Sequence, residues 1–473
     1  MTDLRSLLHE SAEHVAKYRA TLATSPVQPQ MGPGWLRDAL GGPLPDSPSP
    51  PEQVVRQLVE AAGPGLVASA GPRYFGFVVG GSLDAALCAD ILTSGWDQVA
   101  FNAITSPAAA AAEEVAGSWL KELLGIPERA SFGLVTGGQA ANTVALAAAR
   151  HHVLAQDGWD VERDGLTGAP AVRVFAGEAR HATIDRALRF LGLGTGSLGV
   201  LPTHANGQVD IGALEAALDK AAGPKIVCLQ AGEVNTGAFD DFDAGCEAAH
   251  RHGAWAHIDG AFGLWAAASP STSHLVAGHG LADSWACDGH KWLNVPYDCG
   301  YVFCAHPGDH AAAMGLSAAY LVGQGAGGLR NPSDFVPESS RRARGFATWA
   351  AIRQLGRQGV AELVQRCCVL ARRFAAGLDG REGCRVVNDV VLNQVLVGFA
   401  DDSTTERVIA TVQGEGTCWM GGTLWKGRRL MRISVANATT TEQDVDRSVE
   451  AILAAAGPAR SATSALTRPQ PPG

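Results

Sequence analysis

The stretch "SWACDGHKWLNVPYDCG", residues 284–300, sets a short apolar run, Ser284 to Cys287, against a glycine, a histidine and one lysine, Lys291. A buried strand that empties into a basic side chain poses a choice. An ammonium is costly to bury, so Lys291 either snorkels to water or uses its amine for chemistry.

Around this stretch the chain alternates helices with short apolar strands. The strands are "SFGLV" (131–135), "AVRVF" (171–175), "LGVLP" (198–202), "KIVCL" (225–229), "AWAHI" (254–258), "DSWAC" (283–287) and "CGYVFCA" (299–305). Such alternation predicts a mostly parallel sheet covered on both faces. Ligands of such sheets bind outside the carboxyl ends of the strands. The residues that follow the strands there are Gly137, Gly138 and Gln139, then His181, then Asn235 with Thr236, then Asp259, then Asp288, His290 and Lys291.

Singly, each has a bland alternative. "TGGQAAN" suits a phosphate at a helix start, where the dipole is worth about 1 kcal/mol, but it also reads as an ordinary turn and is no Walker loop. His181 reads equally as an idle helix-start histidine, Asp259 as a turn cap and Lys291 as a surface lysine. "GTGSLG" (194–199) matches a dinucleotide fingerprint, yet it follows a helix and precedes a strand, so it reads as a loop. Convergence on one sheet edge changes the balance. A phosphate cradle, an acid, a flat imidazole and a lysine are what pyridoxal phosphate demands.

Taken together, "HKWLNVPYDCG", "HIDGAFG", "TGGQAANTVALAAAR" and "RHATIDRALRFLGLG" resemble the fold-type-I pyridoxal-phosphate-dependent amino-acid decarboxylases of group II, which act on aromatic amino acids, glutamate or diaminobutyrate. The resemblance runs from about Gly71 to Ile452. It implies that Lys291 forms the imine with the cofactor, with His290 near the phosphate, Asp259 at the pyridine nitrogen, Ala261 under the ring and His181 stacked above it. Gly137, Gly138 and Gln139 fall at the phosphate-binding turn, with Asn235 and Asp288 among the cofactor contacts. Gln139 departs from the family's Ser or Thr and leaves its amide and side-chain NH₂ as donors, while an ionised Asp288 sits poorly beside a phosphate. "RYFGFVVGGS" (73–82) resembles the pocket lining, which Phe77 and Val78 make apolar. "FNAITSPA" resembles the segment whose aromatic residue, here Phe101, reaches the neighbouring subunit's pocket, which implies a homodimer with shared sites. The family's mobile-loop Tyr has no counterpart between Leu329 and Trp349, although "RRxR" and Trp349 are retained.

The fold so implied is α/β. An aspartate-aminotransferase-like large domain with a mostly parallel seven-stranded sheet spans 76–345, a helical N-terminal dimerisation arm 1–75 and a small C-terminal α+β domain 346–457, with a disordered tail at 458–473. The arm reads as two helices, 7–22 and 51–69, with little core of its own. The last helix opens on a capping box, Thr441 with Asp444. At 473 residues the chain accommodates about three domains of roughly 150 residues.

Thirty-seven basic against 47 acidic side chains leave a net charge of −10, which argues against nucleic acid or an anionic membrane as partner. No leader and no apolar run of spanning length is evident, and ten cysteines without CxxC spacing read as reduced thiols rather than metal ligands, so a cytoplasmic enzyme without metal is expected. The implied reaction is decarboxylation of an L-amino acid, aromatic or otherwise apolar. The alternatives are decarboxylation-linked oxidative deamination to an aldehyde, another Cα-bond lyase or aldolase reaction, or a cofactor-binding scaffold. Arg73 and Arg432 are available to a substrate carboxylate, with surface exposure the default for Arg73.

Overall fold

The computed structural model describes residues 3–315 and 330–457. Seven strands, β1 Ser131–Val135, β2 Arg173–Gly177, β3 Leu198–Leu201, β4 Lys225–Gln230, β5 Ala254–Asp259, β6 Ser284–Asp288 and β7 Gly300–Cys304, form one sheet in the order β1-β7-β6-β5-β4-β2-β3. Only β7 runs against its neighbours. Every residue of β5, β6 and β7 is buried. Successive residues of a strand point to opposite faces, and here they enter two separate cores. Phe175, Val227, Leu229 and Ile258 join the core containing helix Phe242–Arg251, whereas Val174, Ile226, Cys228 and Trp255 join the one under helix Gly138–Gln156. Continuous apolar runs are therefore what the two covered faces require.

Beyond the sheet, helix Arg344–Leu378 breaks its helical angles only at Gly356 (φ 62°, ψ 179°), a conformation glycine adopts readily. It leads to a four-stranded antiparallel sheet, β8 Arg385–Val386, β9 Gln394–Gly398, β10 Gly421–Trp425 and β11 Arg428–Ser434, in the order β10-β11-β9-β8. The capping box is present: the Thr441 Oγ1 accepts from Asp444 N (3.2 Å) and the Asp444 Oδ2 accepts from Thr441 N (3.0 Å).

At the amino end the structure differs from expectation. Three helices, Leu4–Thr21, Pro33–Leu40 and Pro51–Ala62, replace two, and none has a buried residue. The third stops at Ala62 because Gly63-Pro64-Gly65 turns into a short 3₁₀ segment. Helix Asp84–Trp96 is a further element that periodicity did not reveal. The tail expectation, 458–473, lies outside the described residues.

Opposite the strand ends that carry the site, Asp283 joins three elements. Its carboxylate accepts from Ala256 N (2.8 Å) and contacts His250 Nε2 (3.1 Å) and His306 Nε2 (2.9 Å). Burial alone would raise the Asp283 pKa, but these hydrogen bonds outweigh it and hold it at about 2. The same contacts raise His250 and His306. The carboxylate's contribution is present above the unfolded value near pH 4 and lost as pH falls toward 2. The histidines' contribution is full below about pH 6.5 and is lost as pH rises through their elevated values. Stability supplied by the cluster therefore peaks between about pH 4 and 6.5. Asp283→Asn is expected to lower the melting temperature most at pH 5–6 and least at pH 8.5; equal losses at both would contradict this assignment. Among the described residues, one group of three side chains has metal-ligand spacing, His152, His306 and Asp309, at this same end. Its imidazoles are already hydrogen-bonded, His152 Nδ1 to Asp309 Oδ2 (2.6 Å) and His306 to Asp283.

Candidate active site

Asp259 is the last residue of β5 and Asp288 the last of β6, so both lie at the carboxyl edge, and both are buried. Lys291 follows three residues later, and its Nζ lies 3.1 Å from Asp288 Oδ2. The Asp288 Oδ1 accepts from Gly138 N (2.5 Å) and lies 3.6 Å from His290 Nε2. A carboxylate therefore holds the lysine, the histidine and the first amide of helix Gly138–Gln156 together. Glycine permits this approach: a Cβ on Gly137 would lie 2.9 Å from His290 Cε1, and one on Gly138 would lie 3.0 Å from Asp288 Oδ2.

His181 caps helix Ala182–Phe190, with Thr183 N donating to its Nδ1 (3.3 Å). Surrounding protein lowers its pKa by desolvation, against the pull of Asp259. Thr183 Oγ1 donates toward Asp259 Oδ2 at 3.5 Å. Beside His181 opens a cavity of about 490 Å³, lined among others by Arg180, Glu233, Asn235 and Trp425. Asn235 is committed within it: its Nδ2 donates to Glu233 Oε1 (2.7 Å) and its Oδ1 accepts from Thr423 Oγ1 (2.7 Å).

Residues 33–400 match the model of the pyridoxal-dependent decarboxylase conserved domain. The chain belongs to the pyridoxal-dependent decarboxylase family. This decarboxylase is 27% identical to tryptophan decarboxylase 1 of Oryza sativa subsp. japonica, covering 95% of this chain and 93% of that one. It is 25% identical to 4-hydroxyphenylacetaldehyde synthase of Rhodiola rosea, covering 94% of each. Its fold superposes on the crystal structure of Oryza sativa TDC with PLP and tryptamine with a TM-score of 0.89, at 24% identity over 96% of this chain and 97% of that one. The decarboxylase is thus a pyridoxal-phosphate-dependent carboxy-lyase acting on an amino acid, and its seven-stranded α/β sheet is the fold of the family.

The residues present fit that cofactor. A helix leaves its first amides unpaired, and after Gly138 those of Gln139 and Ala140 face the anion-binding end. The Gln139 side chain does not serve as a donor there, which corrects the expectation: its Nε2 donates to Thr183 O (3.2 Å) and Thr143 Oγ1 (3.3 Å). Its buried Oε1 has no partner. Asp288, whose contact the sequence left open, is matched by Gly138, Lys291 and His290 as described. Burial lowers the His290 pKa, and Tyr297 stacks on its ring at 4.3 Å with its own pKa pushed up to about 12 by desolvation. Ala261 stands beside the same turn, 3.6 Å from where a Gly138 Cβ would be.

Arg73 is neither at the surface nor a substrate ligand. It is buried, and its guanidinium donates to Ala23 O (3.1 Å), Ser25 O (2.9 Å) and Thr417 O. It fastens the N-terminal arm to the segment before β10. In the pocket stretch, Phe77 is 63% exposed and packs on Trp419 (5.4 Å), whereas Val78 is fully buried and cannot line an open cavity. The Phe101 backbone is fixed by its carbonyl, which accepts from Ser333 N (3.2 Å). The "RRxR" anchors hold: Arg341 pairs with buried Glu113 (2.7 Å), Arg342 with Asp90 (2.8 Å) and Arg344 with Asp298 (3.0 Å). In the loop compared for its missing Tyr, Leu329 lies outside the described residues; from Arg330 to Trp349 none is Tyr.

Asn294 was missed. Its Nδ2 donates to Ala436 O (2.9 Å) and its Oδ1 accepts from Ala438 N (2.8 Å), tying the lysine loop to the segment after β11. The only signal was its place three residues after Lys291.

Proposed function

We propose that this decarboxylase acts on an aromatic or other large apolar L-amino acid, with Lys291, Asp259 and His181 as its catalytic residues. The observation that carries this assignment is the placement of Lys291 and Asp259 at the ends of adjacent strands, beside a helix start shaped for a phosphate. Bound pyridoxal phosphate supplies an electron sink for the pair released when the bond from Cα to the carboxylate breaks. Lys291 contributes the amine that tethers the cofactor and yields to the substrate's amine. Asp259 favours the protonated ring nitrogen by a close opposite charge, and His181 covers one face of the site. Residues that orient the substrate on the bound cofactor would select which bond to Cα is broken. Arg432 is suited to that task. Its guanidinium is half-buried, with a long contact to Val234 O (3.5 Å), and burial lowers its pKa.

An apolar substrate is supported by Trp425, which lines the cavity beside His181, and by the names of the relatives. The helices of the arm expose Leu4, Leu8, Val54 and Leu58 and bury nothing, which supports a homodimer in which the arm covers a second copy and Phe101 enters the partner's pocket. The division into arm (1–75), large domain (76–345) and small domain (346–457) belongs to the same proposal, as does an aspartate-aminotransferase-like arrangement. Unpaired cysteines, nine of the ten buried, are in keeping with a reducing cytoplasm. Among the described residues no helix is long and apolar enough to cross a membrane.

A second product, an aldehyde, is the alternative reading: Arg330 to Trp349 holds no Tyr to act as proton donor, whereas Tyr320 stands in the stretch before it, outside the described residues. Incubation with a panel of amino acids, in air and without oxygen, separates the two by mass spectrometry. Amine and carbon dioxide under both conditions support decarboxylation; aldehyde, ammonia and peroxide only in air support the oxidative route. Absence of turnover with every amino acid would overturn both.

A further inference from the structure

Behind the cleft lies a row of polar side chains that the proposed function leaves without a task. Trp255 Nε1 donates to Ser284 Oγ (2.8 Å), Ser284 Oγ meets His257 Nδ1 (3.0 Å), and His257 Nε2 meets Asn142 Oδ1 (2.9 Å). Asn142 Nδ2 donates to Thr183 Oγ1 (3.0 Å), which lies 3.0 Å from His181 Nδ1 and 3.5 Å from Asp259 Oδ2. Asn142, His257 and Ser284 are at most 1% exposed. Buried polar groups of this kind must satisfy one another.

The proton positions follow from both ends. An indole N–H only donates, so Ser284 accepts from Trp255, and its own proton is free to go to His257 Nδ1. At the other end, the backbone N–H of Thr183 points at His181 Nδ1, which must therefore be an acceptor, and a carboxylate oxygen only accepts. The Thr183 hydroxyl faces two acceptors and must donate. It then accepts from the Asn142 amide, whose oxygen accepts the Nε2 proton of His257. Reversing any member sets two lone pairs or two protons against each other. Desolvation lowers the His257 pKa to about 4, in keeping with the neutral ring this order needs.

We propose that Thr183, oriented by Asn142, His257 and Ser284, is a positioning residue that fixes His181 in the tautomer with its proton on Nε2, so that its free edge meets the cleft as a hydrogen-bond donor. The same hydroxyl, having one proton for two acceptors, couples His181 to Asp259. This rests on the proposed place of His181 in the site, and its test does not require turnover.

Diethyl pyrocarbonate acylates an imidazole nitrogen with an available lone pair. In the cofactor-loaded protein the His181 lone pair is on Nδ1 and engaged by Thr183, so peptide mass spectrometry should find His181 reacting slowly relative to exposed His274. Thr183→Val keeps the shape and removes the hydroxyl. It should speed acylation of His181 about five- to tenfold, the worth of one hydrogen bond, with His274 unchanged. Thr183→Ser should restore the slow rate, and Asn142→Leu should fall between. Wild-type reactivity of His181 in Thr183→Val, or fast reaction in Thr183→Ser, would overturn the proposal. A protein that turns over no amino acid but shows these rates would refute the proposed substrate reading alone.

Discussion

Lys291→Ala should abolish the visible absorbance of the tethered cofactor and lower turnover by at least about 10³-fold, because the other amine lining the cavity beside His181, that of Lys426, is engaged by His204 O (2.9 Å). Among the described contacts, the Nζ has one charged partner, Asp288 at 3.1 Å. Removing one member of a buried pair can cost roughly 3–5 kcal/mol when the other is left alone. Asp288 is not left alone, since Gly138 N (2.5 Å) and His290 (3.6 Å) still face it. The variant should therefore fold and melt within a few degrees of the wild type. Lys291→Arg separates charge from covalency, for a guanidinium satisfies Asp288 but cannot form the imine. Absorbance spectra, a melting curve and single-turnover assays on the two variants check this. A visible band that persists in Lys291→Ala would remove Lys291 from its role.

How far such a site is visible in advance depends on which atoms the pattern constrains. Strands β5 to β7 were legible nearly to the residue because both faces are covered, so most positions are apolar and the polar pair His257 and Ser284 is mutually hydrogen-bonded. Asp259 and Asp288 were legible as strand-end polar residues because no covered face would tolerate an unmatched carboxylate. The helix Pro33–Leu40 was hidden by its short length and its flanking Gly and Pro residues. Arg73 and Gln139 were misjudged for a shared reason: a long polar side chain can reach a backbone carbonyl far away in sequence, and nothing local records the choice. His257 carried a faint signal. It stands two residues before Asp259 on the same strand, hence on the same face, and a histidine buried beside a site residue calls for partners. Asn142, one helical turn into Gly138–Gln156, is one of those partners, which only the fold could identify.

Asp259→Asn is the second change with a large expected effect, and it tests electrostatics where Lys291→Ala tests covalency. The substituted side chain is nearly isosteric, and Thr183 Oγ1 at 3.5 Å can still donate to its oxygen. Strand pairing of residue 259 with Gln230 and Ala286 involves only the backbone. Folding should therefore be preserved or slightly favoured, since an amide is cheaper to bury than a carboxylate. What would be lost is the opposite charge that the proposed site sets at the ring nitrogen. At about 4 Å and an effective dielectric near 20, one such interaction is worth about 4 kcal/mol, or roughly 10³ in rate if it acts fully on the electron-poor ring. The expected result is a cofactor that still binds, with its tether to Lys291 intact, and a kcat lower by about 10²- to 10³-fold with little change in KM. A fall in KM-dependent binding alone, with kcat preserved, would mean that Asp259 anchors the cofactor without tuning it.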